Sequence, residues 1–109
     1  MSFENELKKS ATNRHLCWIT DINGNRRLVE PYMVYTSSRD HRLFHCFQLE
    51  GYSMSGAGTG WKNPKVSNFI SAEETDMLFK IRDEYNPFNY EMFPRVHFAL
   101  PDANGSQRM

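Results

Sequence analysis

The sequence predicts a mainly β protein: a small, strongly bent antiparallel sheet or barrel of five short strands, with one short helix. Three observations carry this. Turn signals recur about every ten residues, between short runs rich in aromatic and β-branched side chains. An Asn-Gly pair, Asn23-Gly24, sits between two such runs, as a tight hairpin requires. Several runs are apolar at consecutive positions, which fits strands covered on both faces.

The elements follow in order. Residues 1–13 are polar and form an N-terminal arm, either a short helix or loose chain. The first strand is expected from His15 to Ile22 and the second from Arg26 to about Thr36. Pro31 cannot donate a ladder hydrogen bond, so the second strand must lie at an edge or be bulged there. "SSRD", Ser37 to Asp40, reads as a turn. In the third strand, "HRLFHCFQLEG", Leu43, His45, Phe47 and Leu49 share one face, and Phe44, Cys46 and Gln48 the other. A fourth run extends from Gly60 to about Ile70, interrupted at Pro64. "PRVHFAL" is the fifth strand. Ser71 with Glu74 fits a capping box, and Leu78, Ile81 and Tyr85 follow at helical spacing, so a helix is expected from about 72 to 85. The alternative there is a strand continuation. "YNPFNYEMFP" must be irregular, and residues 101–109 are expected to be a flexible tail. One domain, residues 14–100, accounts for the length of 109 residues.

Composition bounds the function. Formal net charge is zero, so no global field draws the chain to nucleic acid or a membrane, and any anion site must be a local cluster. The start is polar, without the pattern of a secretory leader, and no apolar run nears the ~20 residues of a membrane span, so a cytoplasmic location is expected. Cys17 and Cys46 form no CxxC motif and sit in apolar runs, as buried free thiols do; a disulfide between neighbouring strands is the other option.

Catalytic motifs fail on inspection. Four of the six glycines fall in "GYSMSGAGTGWK", Gly51 to Lys62. Yet Trp61 separates Gly60 from Lys62, so this is no phosphate loop, and Gly56, Gly58 and Gly60 are spaced too closely for a dinucleotide fingerprint. A mobile connection between strands suits it. His41 and His45 share a face but lie ~13 Å apart in a strand, too far for one ion, so no metal is expected. Cys46 lies in "FHCF", a core pattern rather than a reactive one. Ser53, Ser55 and Gly56 lack the order of a nucleophile elbow. No acid–base pair stands out. The chain is therefore expected not to be an enzyme and to need no cofactor.

What remains is a basic and aromatic set. Arg26 and Arg27 follow the first turn, Arg39 lies in the next and Arg42 just after it, and Trp61, Lys62 and Lys65 surround Pro64. Arginine suits bidentate contact with phosphate or carboxylate, and Trp61 could stack on a base. The alternative is a solvated sheet face with one half-buried tryptophan.

The segments "RRLVEPYMVY", "HRLFHCFQLEGYSMSGAGTGWK", "KVSNFI" and "RDEYNP", in that order across residues 18–100, resemble a WYL domain, specifically the short stand-alone WYL-like proteins. The resemblance implies a small Sm-like β-barrel and a sensor role: a basic groove that binds a nucleotide or a strand of nucleic acid. It also implies a place in transcriptional regulation, often in bacterial stress or phage defence. Arg27 matches the arginine before Val-Glu-Pro, and Lys62 and Lys65 match the basic residues after the loop. The triplet that names the family is absent, Leu43-Phe44-His45 standing near its place, and Asn68 stands where a basic residue is usual. The expected site is Arg27, Arg42, Trp61, Lys62 and Lys65, holding an anionic ligand. A homo-oligomer is possible, and a purely structural dimerisation module is the alternative function.

Overall fold

A computed structural model describes residues 2–52 and 58–108. It is mainly β, with one helix and six antiparallel strands in one bent sheet. The elements are α1 (Phe3–Thr12), β1 (His15–Asp21), β2 (Arg26–Thr36), β3 (Arg42–Gly51), β4 (Gly60–Lys62), β5 (Phe69–Leu78) and β6 (Arg95–Ala99), with a 3₁₀ turn at Val66–Asn68 before β5.

The arm forms the helix. Ser2 caps α1 by accepting from Asn5 N–H at 3.1 Å, and Phe3, Leu7, Ser10 and Ala11 fall on one buried face. The helix α1 thus packs into the domain core rather than extending from it.

The Asn-Gly hairpin forms as expected. Gly24 has φ +84°, and the Asp21 carboxylate accepts from the backbone N–H of Asn23 and Asn25. β2 is the central strand. β3 runs along one edge of it, from Arg27↔Gly51 to Thr36↔Arg42. Its other edge is shared, β1 pairing with Arg26–Val29 and β6 with Met33–Thr36. Pro31 resolves as a bulge: the β2–β3 register shifts between Pro31 and Met33, inside the sheet and not at an edge.

Two expectations are corrected. The stretch from 72 to 85 is not a helix. β5 covers Phe69–Leu78 and pairs antiparallel with β1, Trp18 opposite Glu73 and His15 opposite Leu78. The open edge of β1 supplies backbone partners from Phe69 to Leu78, which outweighs local helical preference there. Glu74 caps nothing; its carboxylate accepts from Asn13 Nδ2 at 2.8 Å and contacts His15 Nδ1 at 2.6 Å. Second, the sheet does not close into a barrel. Its order is β4-β3-β2-β1-β5, and among the described residues no ladder joins the end strands. The expected fourth run explains this. It is split: Gly60–Lys62 is β4, Asn63-Pro64 ends it, Lys65 bridges back to Leu43 on β3, and Phe69-Ile70 already belong to β5.

Both faces of the sheet are covered, as the doubly apolar runs require. On the inner face α1 packs over Cys17, Ile19, Val29, Phe44 and Phe69. Phe3, Phe44 and Phe69 form a triangle with ring centroids 5.2–5.3 Å apart. On the outer face the irregular segment 79–94 lays Tyr85 and Phe93 against Tyr32, Met33 and Tyr35. The chain beyond β6, expected to be flexible, turns about Asp102, whose carboxylate accepts from Asn104 and Ser106 N–H. Arg108 there donates to Pro87 O at 3.1 Å.

Candidate functional site

The five expected site residues fall into three separate groups. Arg27 and Lys62 share the inner face. Arg27 lies over Phe69, its guanidinium carbon 5.3 Å from the ring centroid, and 5.9 Å from that of Tyr52. Lys62 is the cross-strand partner of Cys46, whose side chain is buried in the same core, and both cations act electrostatically on that thiol. Trp61, one residue earlier, pairs with Phe47 and so faces the other way. It packs among Tyr32, Phe47 and His45, a half-buried member of the outer core. The expected composite of Arg27 with Trp61 is therefore not formed, because the pleat alternates their directions.

Arg42 and Lys65 make the third group, lining with His41 and Asp40 a surface cavity of about 390 Å³. Arg42 is already engaged, gripping Glu4 of α1 with two bonds of 2.7 Å. That grip pulls the Glu4 carboxyl down to about 2.

Arg27 differs from four of the eight arginines in its surroundings. Arg26, Arg42, Arg82 and Arg95 each hold a carboxylate, those of Glu73, Glu4, Glu30 and Asp40. Arg27 holds none among the described residues. Its side-chain hydrogen bond among those residues is long, from Nη1 to Gln48 Oε1 at 3.5 Å, and its buried Nε has no partner there. Gln48 is fully buried because it works for the backbone: its Nε2 donates to Tyr52 O at 2.9 Å and holds the chain where β3 ends. Gly51 beside it has φ +109°, and a Cβ there would meet Arg26 O at 2.3 Å, so no other residue lets β2 and β3 approach so closely next to Arg27. Ser53, Ser55 and Gly56 of the glycine-rich connection lie outside the described residues.

The thiols are free and buried. Burial pushes Cys46 up to about 12 and raises Cys17 too, which keeps both protonated at neutral pH.

Two outer-face arrangements escaped the sequence reading. Glu30, buried in β2, accepts Arg82 Nε at 2.9 Å, Arg82 Nη2 at 3.0 Å and Tyr32 O–H at 2.9 Å. Arg82 also lies flat over Phe47, 3.6 Å from the ring centroid. This network borders a cavity of about 510 Å³ and fastens segment 79–84 to the sheet. The available signal was a carboxylate inside the apolar run Leu28–Met33, which demands a cationic partner. The second arrangement is His45, stacked on Trp61 at 4.6 Å and 5°. Asn63 Oδ1 accepts from Tyr35 O–H at 3.0 Å and lies 2.8 Å from His45 Nδ1. A carbonyl oxygen only accepts, so Nδ1 carries the proton and Nε2 is a lone-pair acceptor.

Compared with known proteins, the chain matches no protein-family model, no curated protein and no solved structure. No helix of the described residues is long and apolar enough to cross a membrane.

Proposed function

We propose that this protein is a non-catalytic binding module that captures an anionic ligand, a nucleotide or a short single strand of nucleic acid, at Arg27 with Lys62 on the same face. One observation carries the reading: among the described residues Arg27 makes no ion pair and its buried Nε has no hydrogen-bond partner, on a chain of zero net charge. A partly buried cation in that state gains more from a phosphate than a solvated one does, since Arg presents a fork of donors to it. The aromatic floor of Phe69 and Tyr52 holds the guanidinium in place. The WYL-like order of motifs agrees with this choice of Arg27 and Lys62, and with a sensor role in transcriptional or stress regulation.

The test is a thermal-shift titration with nucleotides, cyclic nucleotides and short oligonucleotides at low and high salt. A bound anion raises the melting temperature by mass action, and the rise shrinks steeply with salt. Arg27→Glu and Lys62→Glu should each abolish the shift. A shift that survives both substitutions places the anion elsewhere and ends this reading.

A second reading, a dimerisation module, is favoured by β5. It is an edge strand, and it exposes Ile70 at 62%, Met77 at 44% and Leu78 at 73%. The edge expected near Pro31 is not available, because Pro31 is buried in the central strand. Sedimentation that finds a dimer in the wild type and a monomer after Ile70→Lys, with no nucleotide-induced shift, would select this reading over the first.

A further inference from the structure

β5 ends the sheet. It pairs with β1 along one edge, and among the described residues no ladder runs along the other. The strand spans ten residues, Phe69–Leu78, and holds no proline and no lysine. Folded proteins usually blunt such an edge with those residues, because its unpaired N–H and C=O groups invite another strand. Two side-chain features mark this edge. Ile70, Met77 and Leu78 are exposed toward its ends, and Glu73 and Asp76 are exposed between them. The Glu73 side chain is 77% exposed, and its contact with Arg26 Nη2 is loose at 3.6 Å, a kind of pair that contributes little. Glu74 is differently placed, since its carboxylate is turned to Asn13 and His15.

Charge narrows what fits there. A second copy, antiparallel about the middle of β5, sets Glu73 and Asp76 beside the same carboxylates of its partner, and like charges across strands are destabilising. A strand with lysine or arginine at those places meets both carboxylates with opposite charge. Its apolar residues then cover Ile70, Met77 and Leu78. We propose that β5 receives an extended segment of a partner protein, in which lysines or arginines alternate with apolar residues, as a further antiparallel strand. Main-chain hydrogen bonds supply the affinity of such an addition, and side chains along the edge select the partner. The two carboxylates make that selection electrostatic. This goes beyond both readings above: it needs no anion site, and it gives the β5 edge an occupant other than a second copy.

The probe is a blocked decapeptide of alternating valine and lysine, matched in length to β5. Two controls accompany it: the same peptide with glutamate in place of lysine, and the valine–lysine peptide N-methylated throughout, which keeps the charge but has no ladder donors. The readouts are residue-resolved hydrogen exchange and sedimentation of the protein alone. The valine–lysine peptide should slow exchange of β5 amides saturably, by about tenfold or more, and leave α1 amides unchanged. Neither control should do so. Glu73→Lys with Asp76→Lys should reverse the preference, losing the lysine peptide and accepting the glutamate one. Lys62→Glu, on the opposite end strand of the sheet, should leave lysine-peptide binding intact, which separates this proposal from the anion site. Equal protection by the lysine and glutamate peptides, protection by the N-methylated one, or none from the lysine peptide at millimolar concentration would each overturn it. A free protein that sediments as a dimer with its β5 amides already protected assigns the edge to a second copy and overturns it too. If the double variant does not fold, the three peptides compared on the wild type decide.

Discussion

The two faces of the sheet are covered by different means. On the inner face a regular helix lies over aliphatic and aromatic side chains, and its backbone satisfies itself. On the outer face an irregular segment must find partners for its polar groups one at a time. Tyr32 O–H takes the backbone N–H of Arg82, Glu30 takes the Arg82 side chain, and Tyr85 O–H donates to Leu100 O at 2.9 Å. Where the covering element lacks its own hydrogen-bond pattern, specific side chains from the sheet replace it. That is why the outer face carries the Glu30–Arg82 and His45–Asn63 arrangements, polar side chains in an aromatic setting.

Substitutions on each face should separate these two modes. The largest effect is expected from Glu30→Ala, which strands Arg82 and removes the acceptor of Tyr32. It should cost about 3–5 kcal/mol, and the Arg82 amide should lose hydrogen-exchange protection while α1 amides keep theirs relative to the new global stability. Phe44→Ala empties the inner triangle and should cost about 3–5 kcal/mol as well, but without that selective loss of Arg82. Equal loss of protection on both faces in both variants would erase the distinction.

Acid should act through the outer face. His45 is held down to about 4 by burial, below its ordinary 6.5, so the unfolded chain binds more protons between those values. Stability is full above pH 6.5 and drains as pH falls toward 4, by about 3 kcal/mol. Glu4, drawn down to about 2 by Arg42, drains only below its ordinary 4.5, so the two windows separate. Urea denaturation in steps from pH 7 to pH 4 should show this slope in the wild type and a clearly shallower one in His45→Phe, where His97, also lowered by burial, still contributes.

Smaller effects are expected at single bonds. Tyr85→Phe removes one buried hydrogen bond and should cost about 1 kcal/mol; Ser2→Ala removes the cap of α1 and should cost about 1 kcal/mol or less. Thermal denaturation distinguishes either from no change.

The sequence made the inner half of the fold readable and the outer half less so. The β1–β2 hairpin is visible because Asn23-Gly24 has one dominant use, and β3 because Phe44, Cys46 and Gln48 alternate cleanly with His45 and Phe47. β5 was misread because Ser71 with Glu74 and Leu78 with Ile81 imitate helix spacing, while the decisive factor, an open edge on β1, is more than fifty residues away. The site suffered from a similar distance. Neighbours in the chain, Trp61 and Lys62 end on opposite faces, and Arg42 is claimed by Glu4 from a helix whose docking no local pattern announces. Glu30 was readable as a buried charge needing a partner, but not that Arg82 supplies it.

The pairing of β1 with β5 has a consequence for synthesis. Phe3 and Leu7 emerge from the ribosome early, yet Phe69, the ring that shields Phe3, and the strand that seals β1 come from the second half of the chain. Until then the nascent helix and first hairpin expose an unsheltered apolar flank and a bare ladder edge, a state open to intermolecular association. A translation pause or truncation before Leu78 should therefore leave a chaperone-dependent, aggregation-prone fragment rather than a smaller folded domain.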